Sequence, residues 1–520
     1  FKVVALATLG AYLYLVSRAR LPRLQVLALL VIVACNPSFM IMLFSGLETV
    51  TFAFLLALLF ALIYRNGSLN RWGYLVALAL ALTRPEGILF AGVGMAWSLV
   101  ITRKRAQLGG LVAVGGIWAM YWLWRWHYFR YFWPNTFYVK SGNRGTLSSQ
   151  VVNVLSGLLP ALVVAGLVML VAATIWRVDT AALGKLLRNA QNATPFVLAV
   201  TSAAVVLGLY HSSLLAMNFT NRFEWQLLFP VAVVVLSRPL KVMAGAAGAG
   251  GMGGIGGRPG GSGTGERSAL AQQVAIHVAH DFWAIVALAV AAVASMSDAT
   301  SRFSQLTVTG AAIVLAVAVV LRWTLGSFRA TVLAAVALVV VVSWAPVTEW
   351  LGWASYRDRL EFAHQALGQV IDAQQLPGTV AIGDAGLLPF KLHQPVIDMD
   401  GLAYTPVSHG TFSAANLDAA QLNLVVALSG TPSAGSQWTT GLGQQVTYQY
   451  MLDHGWPSFS GPPFTYGYWL NIWVNPKIDD RALQVAVYRV SVRAAQENLR
   501  SDGQVFWRGL FHFPFLGNGN

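Results

Sequence analysis

Apolar runs about one bilayer thick, nearly free of charge, constrain this chain more than any other feature. TVTFAFLLALLFALIY (49–64) contains no charged residue, and similar runs recur along the first two thirds of the sequence. Near-continuous apolar runs of about 17–25 residues read as membrane-spanning helices. Twelve candidates follow, at 1–16, 24–43, 49–64, 72–82, 86–101, 109–124, 152–175, 194–214, 225–241, 282–297, 306–322 and 330–347. The pair flanking residue 84 can also be two half-helices. Composition agrees: of 520 residues 56% are hydrophobic and 10% charged, where a soluble chain carries about a quarter charged. The expectation is an α-helical polytopic membrane protein.

A net charge of +14 raises the question of a nucleic-acid partner, but basic loops have another use in a membrane protein, where they fix topology. The loops alternate. One set carries seventeen Lys/Arg, among them Arg18, Arg65, Arg103, Lys104, Arg105 and Arg322. The other carries seven: Arg84, Arg125, Arg130, Lys140, Arg144, Arg222 and Arg302. The basic set is assigned to the cytoplasm, in an inner (plasma) membrane. The single cysteine, Cys35, forms no intrachain disulfide. The sequence opens on FKVVALATLG, without an initiator Met and inside an apolar run, so a preceding N-terminal piece is expected.

This orientation sends four unusual stretches to the outer face: NPSFMIMLFSGLE (36–48), TRPEG (83–87), WPNTFYVKSG (133–142) and MNFTNRF (217–223). Prolines, asparagines and ionisable groups at membrane depth are costly and usually line a cavity. Each has a structural reading as well. Arg84 and Glu86 can pair and cap a helix, with Pro85 at its first position. Glu48 follows Ser45 by three and can close a capping box. The rings of YWLWRWHYFRYF (121–132) suit an interfacial belt. Lys140 and Arg222 are lone cations among polar and aromatic neighbours, for which an anionic headgroup is the natural partner.

Residues 242–268 form a glycine-rich cytoplasmic linker. They hold no phosphate loop, since no strand precedes them and no Gly-Lys-Ser/Thr follows. Residues 1–348 are thus a transmembrane domain and 349–520 a second, extracytoplasmic one. In the latter, YRDRLEFAHQALGQVIDAQQLPG reads as an amphipathic helix. TVAIGDAG, QPVIDMDG, QLNLVVALS, TYGYWLNIWVN and LQVAVYRVSV read as strands, giving a small α/β domain. Asp398 and Asp400 can be a metal-binding pair or a strand-ending turn, with the turn favoured. No zinc spacing, nucleotide fingerprint or Ser/His/Asp set is present, and no metal is assigned.

Five segments in order, NPSFMIMLFSGLETVTFAFLLALLFALIYR, LALALTRPEGILF, WPNTFYVKSG, MNFTNRFEWQLLFP and IGDAGLLPFKLHQPVIDMDGLAY, resemble the polytopic GT-C glycosyltransferases. The closest likeness is to their arabinofuranosyltransferase-like branch. The resemblance implies a GT-C-like membrane domain and transfer of a sugar, arabinofuranose among the candidates. The donor would be a polyprenyl-phosphate carrier and the acceptor a cell-envelope glycan or protein, at the outer face of the inner membrane. On that basis Lys140, Arg222 and Arg84 would meet the donor phosphate, and Asn135, Tyr138 and Asn221 the sugar or acceptor. Such enzymes carry an acidic motif in the first outer loop, which this sequence does not contain, so Glu48 and Glu86 stand as catalytic candidates. No cofactor is assigned, and a divalent metal stays open. Two other classes remain: a non-catalytic or degenerate subunit of a larger membrane complex, and a transporter.

Overall fold

Helix lengths in the computed structural model are set by local stop signals rather than by hydropathy. It describes residues 2–34, 48–102, 104–131, 190–205, 222–237, 364–373, 378–383, 388–429, 441–460, 469–479 and 481–498, with positions 39, 42, 43, 332 and 336. The chain divides into two compact units. One is Phe1–Arg125 with Thr146–Val347, the other Trp126–Gly145 with Thr348–Asn520.

The described helices of the first unit are α1 (Lys2–Arg18), α2 (Arg23–Ala34), α3 (Thr49–Asn66), α4 (Arg71–Thr83), α5 (Gly87–Thr102), α6 (Arg105–Phe129, whose residues from Trp126 on are assigned to the second unit), α7 (Thr194–Val205) and α8 (Arg222–Leu236). Gly67 ends α3 in the left-handed conformation (φ 70°), its N–H donating to Ile63 O, as expected of a helix C-terminus. The Gln191 side chain donates to Tyr64 O at 2.9 Å and satisfies a second carbonyl there. Asn70 starts α4 as an N-cap, accepting from Gly73 N at 3.0 Å. Arg84 ends that helix in extended backbone (φ −146°, ψ 153°), the conformation imposed on a residue before proline. The next helix begins at Gly87, so Pro85 lies in the turn and not at a first helical position. A Cβ on Gly87 would come within 2.0 Å of Leu80 O; only glycine permits so close a return of the chain. The core packs α3 (Phe52, Leu56, Leu59, Phe60, Ile63) against α8 (Val231, Val234, Val235) and the buried faces of α4, α5 and α7.

These lengths overturn the expectation of a polytopic GT-C-like domain with about twelve spans. Among the described residues, two helices are long and apolar enough to cross a membrane, Thr49–Asn66 and Arg105–Phe129. The 13 residues of α4 reach roughly 20 Å at 1.5 Å per residue, short of an apolar slab about 30 Å thick. The second unit moreover contains a mixed five-stranded sheet. Apolar composition reports burial in lipid and in protein alike, which is why the runs overcounted spans. The expected spans at 152–175, 282–297 and 306–322 lie outside the described residues, as does the 242–268 linker.

In the second unit a helix (364–373, α9) precedes β1 (Thr379–Ile382) and β2 (Val396–Asp398). There follow α10 (Thr405–Ser408), α11 (Ala414–Ala419), β3 (Leu422–Ser429), α12 (Leu442–Asp453), β4 (Ser458–Ser460), β5 (Trp469–Val474) and α13 (Arg481–Asn498). The sheet order is β2-β1-β3-β5-β4, with β1 parallel to β2 and β3, and β5 antiparallel to β3 and β4. Alternation along the strands sends Val380, Ile382, Leu424 and Val426 to one face, under Leu367, Ile371, Leu483 and Val487. Ala381, Val425 and Ala427 face the other side, under Leu417 and Met451. Both faces are covered, which is why these strands read as unbroken apolar runs. LQVAVYRVSV, expected as a strand, lies within α13. Leu483, Ala486 and Val487 are buried while Val485 and Tyr488 are exposed, so the operative period is helical.

Candidate functional site

Where α3 begins, α4 ends and α5 begins, three charged side chains meet inside an otherwise apolar bundle. Arg84 Nε donates to Glu86 Oε1 at 2.6 Å, and Arg84 Nη1 lies 3.1 Å from Glu48 Oε1. The Arg84 and Glu86 side chains are 10% and 8% exposed and Glu48 30%. The guanidinium carbon stands 5.5 Å from the centre of the Phe52 ring, and Phe52 meets Phe90 edge-on at 5.9 Å. A cation over a ring face gains from the ring's negative quadrupole, more so where water is excluded.

Backbone geometry fixes the cluster. Gly87 N donates to Arg84 O at 2.9 Å and Leu89 N to Glu86 O at 3.0 Å, so the turn carrying Arg84 and Glu86 is hydrogen-bonded at both ends. Glu48 makes no side-chain cap bond to α3; its carboxylate is directed to Arg84 across the helix interface instead of to a capping box. Ser45, the other half of that expected box, lies outside the described residues. Next to Glu48, Thr49 is fully buried, and its hydroxyl finds no hydrogen-bond partner among the described residues.

Two carboxylates share one guanidinium in a poorly solvated place, and their oxygens can accept protons and hydrogen bonds from hydroxyls. Removing one partner from a buried pair costs about 3–5 kcal/mol, because the other charge is left uncompensated.

The structure therefore brings together three of the residues singled out from the sequence, Glu48, Arg84 and Glu86. Asn135, Tyr138, Lys140 and Asn221 lie outside the described residues, and Arg222 is described as the first residue of α8 in backbone only. Sequence reasoning missed Phe52 and Thr49. Their positions one turn and one residue beyond Glu48 were a weak signal, since an apolar run offers many such residues.

In the second unit, the DMD segment forms a turn at the end of β2. Asp398 accepts from Asp400 N at 3.0 Å through Oδ1 and from Ala403 N at 2.7 Å through Oδ2. Asp400 accepts from Gln444 Nε2 at 2.7 Å. Among the described residues no group of His, Cys, Asp and Glu is placed to hold a metal ion. Compared with known proteins, the chain matches no family model, no curated protein and no solved structure.

Proposed function

We propose that this chain is a membrane-bound glycosyltransferase. It would move a sugar from a polyprenyl-phosphate donor to a cell-envelope glycan or protein acceptor on the outer face of the inner membrane. The observation that carries the reading is the buried Glu48–Arg84–Glu86 cluster, which joins two of the segments with the family resemblance. In the reaction an acceptor hydroxyl oxygen bonds to the anomeric carbon, the bond from that carbon to the phosphate oxygen breaks, and the polyprenyl phosphate leaves with the electron pair. The hydroxyl proton passes to a carboxylate. Glu48, the more exposed of the two acids, is the better placed acceptor, while Glu86 holds Arg84 and through it orients Glu48.

The ion pairs also revise the role of Arg84. Its guanidinium is engaged by Glu48 and Glu86, so it acts as a positioning group. Neutralising the donor phosphate falls to Lys140 and Arg222, with Asn135, Tyr138 and Asn221 toward the sugars. A charge-assisted contact to phosphate is worth roughly 1.5–3 kcal/mol.

The mutual pairing of the three charges equally favours a second reading, a non-catalytic subunit in which the cluster only holds helices together. Transfer from a synthetic prenyl-phosphate arabinofuranose to an arabinan acceptor, with the reconstituted full chain, separates them. The transferase reading expects turnover that falls about 10²- to 10⁴-fold in Glu48→Gln, the usual contribution of a general base. No turnover by the unaltered protein, or full turnover in the variant, overturns it.

A further inference from the structure

The two long apolar helices differ in a way the proposed function does not use. α3 is what the core of any protein can contain: 61% of it is buried, and it has no large exposed apolar side chain among its residues. In α6 the corresponding figure is 17%. Val112 and Met120 are 66% and 71% exposed, and Leu108, Ile117 and Leu123 are exposed as well. A surface helix facing water shows charged or polar residues on its outer side; α6 shows Leu, Val, Ile and Met there over its length.

Its charges are placed at two levels. The helix contains no acidic residue, and its Lys/Arg are Arg105 at the start and Arg125 near the end. Twenty residues of helix separate them, about 30 Å at 1.5 Å per residue, which equals the thickness of a bilayer's hydrocarbon core. Around the second cation the composition changes to rings. Trp118 stacks on Trp122 at 5.1 Å, the Arg125 guanidinium lies 5.0 Å over the Trp122 ring, and Trp124 and Trp126 are exposed. Tryptophan and arginine together suit the headgroup level, where an amphipathic ring and a cation both find partners. Lys104 precedes Arg105 at the other end.

We propose that α6 is a lipid-facing span, its outward side against the acyl chains of an anionic phospholipid bilayer, with Arg105 and Arg125 at the two phosphate levels. This rests on the membrane-bound reading above and adds which helix meets lipid and at what depth. Both helix ends are cationic, so anionic headgroups are the complementary partner.

The test uses the full chain with Cys35→Ser, carrying one nitroxide label at Leu108→Cys, Val112→Cys, Met120→Cys or Trp124→Cys. The proteins are reconstituted in phosphatidylcholine–phosphatidylglycerol vesicles. Collision with oxygen, which concentrates in lipid, is compared with collision with a water-soluble nickel chelate. The oxygen-to-chelate ratio is expected to be highest at Val112, close to the midpoint between the arginines, and to fall toward Leu108 and Trp124. Chelate access at Val112 and Met120 equal to that at Trp124 overturns the proposal. So does label–label broadening that disappears on dilution with unlabelled protein, which would make this face a contact between copies. The transfer assay on the same proteins keeps the two readings apart. A depth profile without transfer leaves the lipid-facing helix standing and removes the enzyme, whereas transfer with water-exposed labels does the reverse.

Discussion

Two polar clusters are buried in the helical unit, near opposite ends of α5, and they are built on different principles. Near Gly87 is the charged set of Glu48, Arg84 and Glu86. Near Ser98, eleven residues or about 17 Å along the helix, is a neutral set around Gln107. Gln107 Oε1 accepts from Tyr74 Oη at 2.7 Å, from Ser98 Oγ at 3.0 Å and from Leu69 N at 3.4 Å, and its Nε2 donates to Leu69 O at 3.0 Å. The side-chain amide thus serves both backbone groups of Leu69 in the α3–α4 loop and ties that loop to α5 and α6. Every one of those bonds serves the fold. The charged set places three ionisable side chains together where an apolar bundle would pack without them. Burying a neutral, multiply bonded amide is cheap, while burying two acids with one base is costly, and the costly arrangement is the one to examine for function.

The largest effect should come from removing the shared cation. Arg84→Ala leaves two buried carboxylates without their common partner, so we expect a loss of about 3–5 kcal/mol in unfolding free energy together with loss of transfer. A stability change near 1 kcal/mol, of the size of a helix cap, would mean that water reaches the cluster and that its ion pairs have little force. Denaturant unfolding in detergent measures it.

The carboxylates separate stability from chemistry. Glu86→Gln keeps a group able to hydrogen-bond and removes the second negative charge, so its folding should change less than that of Arg84→Ala. Transfer should drop roughly 10- to 100-fold, the rate equivalent of a charge-assisted contact. An equal fall in Glu86→Gln and Glu48→Gln would dissolve the distinction between a positioning acid and a proton acceptor.

How much of this was legible in the sequence varies from residue to residue. Arg84 and Glu86 declared themselves because a charged pair around a proline has no ordinary reason to interrupt an apolar run. Glu48 was visible, but its partner was not. A bond between positions 36 apart depends on how α3 and α4 pack, whereas the capping box with Ser45 could be proposed from spacing alone. Gln107 carried no signal, since an amide at a helix start looks the same whether it faces water or holds a neighbouring loop. The strands of the second unit were readable where burial on both faces made them apolar throughout. LQVAVYRVSV failed because its alternation of valines imitates period two while the buried set 483, 486 and 487 follows the helix. The count of spans failed for the most general reason: an apolar run reports burial, and short runs such as 72–82 form helices that a protein core buries as readily as lipid would.

At the neutral cluster, Gln107→Leu removes the side-chain donor to Leu69 O and the acceptor of the Tyr74 hydroxyl, while Leu69 N keeps its 3.2 Å bond to Ser98 Oγ. Leaving buried polar groups unsatisfied costs about 1–3 kcal/mol. We expect a loss of about 2 kcal/mol, with transfer per folded molecule unchanged. A fall in turnover at preserved stability would show that the two ends communicate through α4 or α5.

The smallest expected effect isolates that question, because α4 has one end in each cluster. Asn70 caps its N-terminus through the bond to Gly73 N, and Arg84 follows its last turn at the other end. Asn70→Ala removes one cap and no charge, which predicts about 1 kcal/mol of destabilisation and a small decrease in unfolding midpoint. The helix has three further turns of packing between Asn70 and Arg84, with Ala77, Leu80 and Ala81 buried. Fraying at the first turn should stop there and leave the position of Arg84 untouched. Transfer by Asn70→Ala, corrected for the folded fraction, should then equal that of the unaltered protein. A marked loss of turnover would mean that α4 moves as a rigid rod and that Arg84 depends on how its far end is anchored; the neutral cluster would then belong to the working part of the molecule.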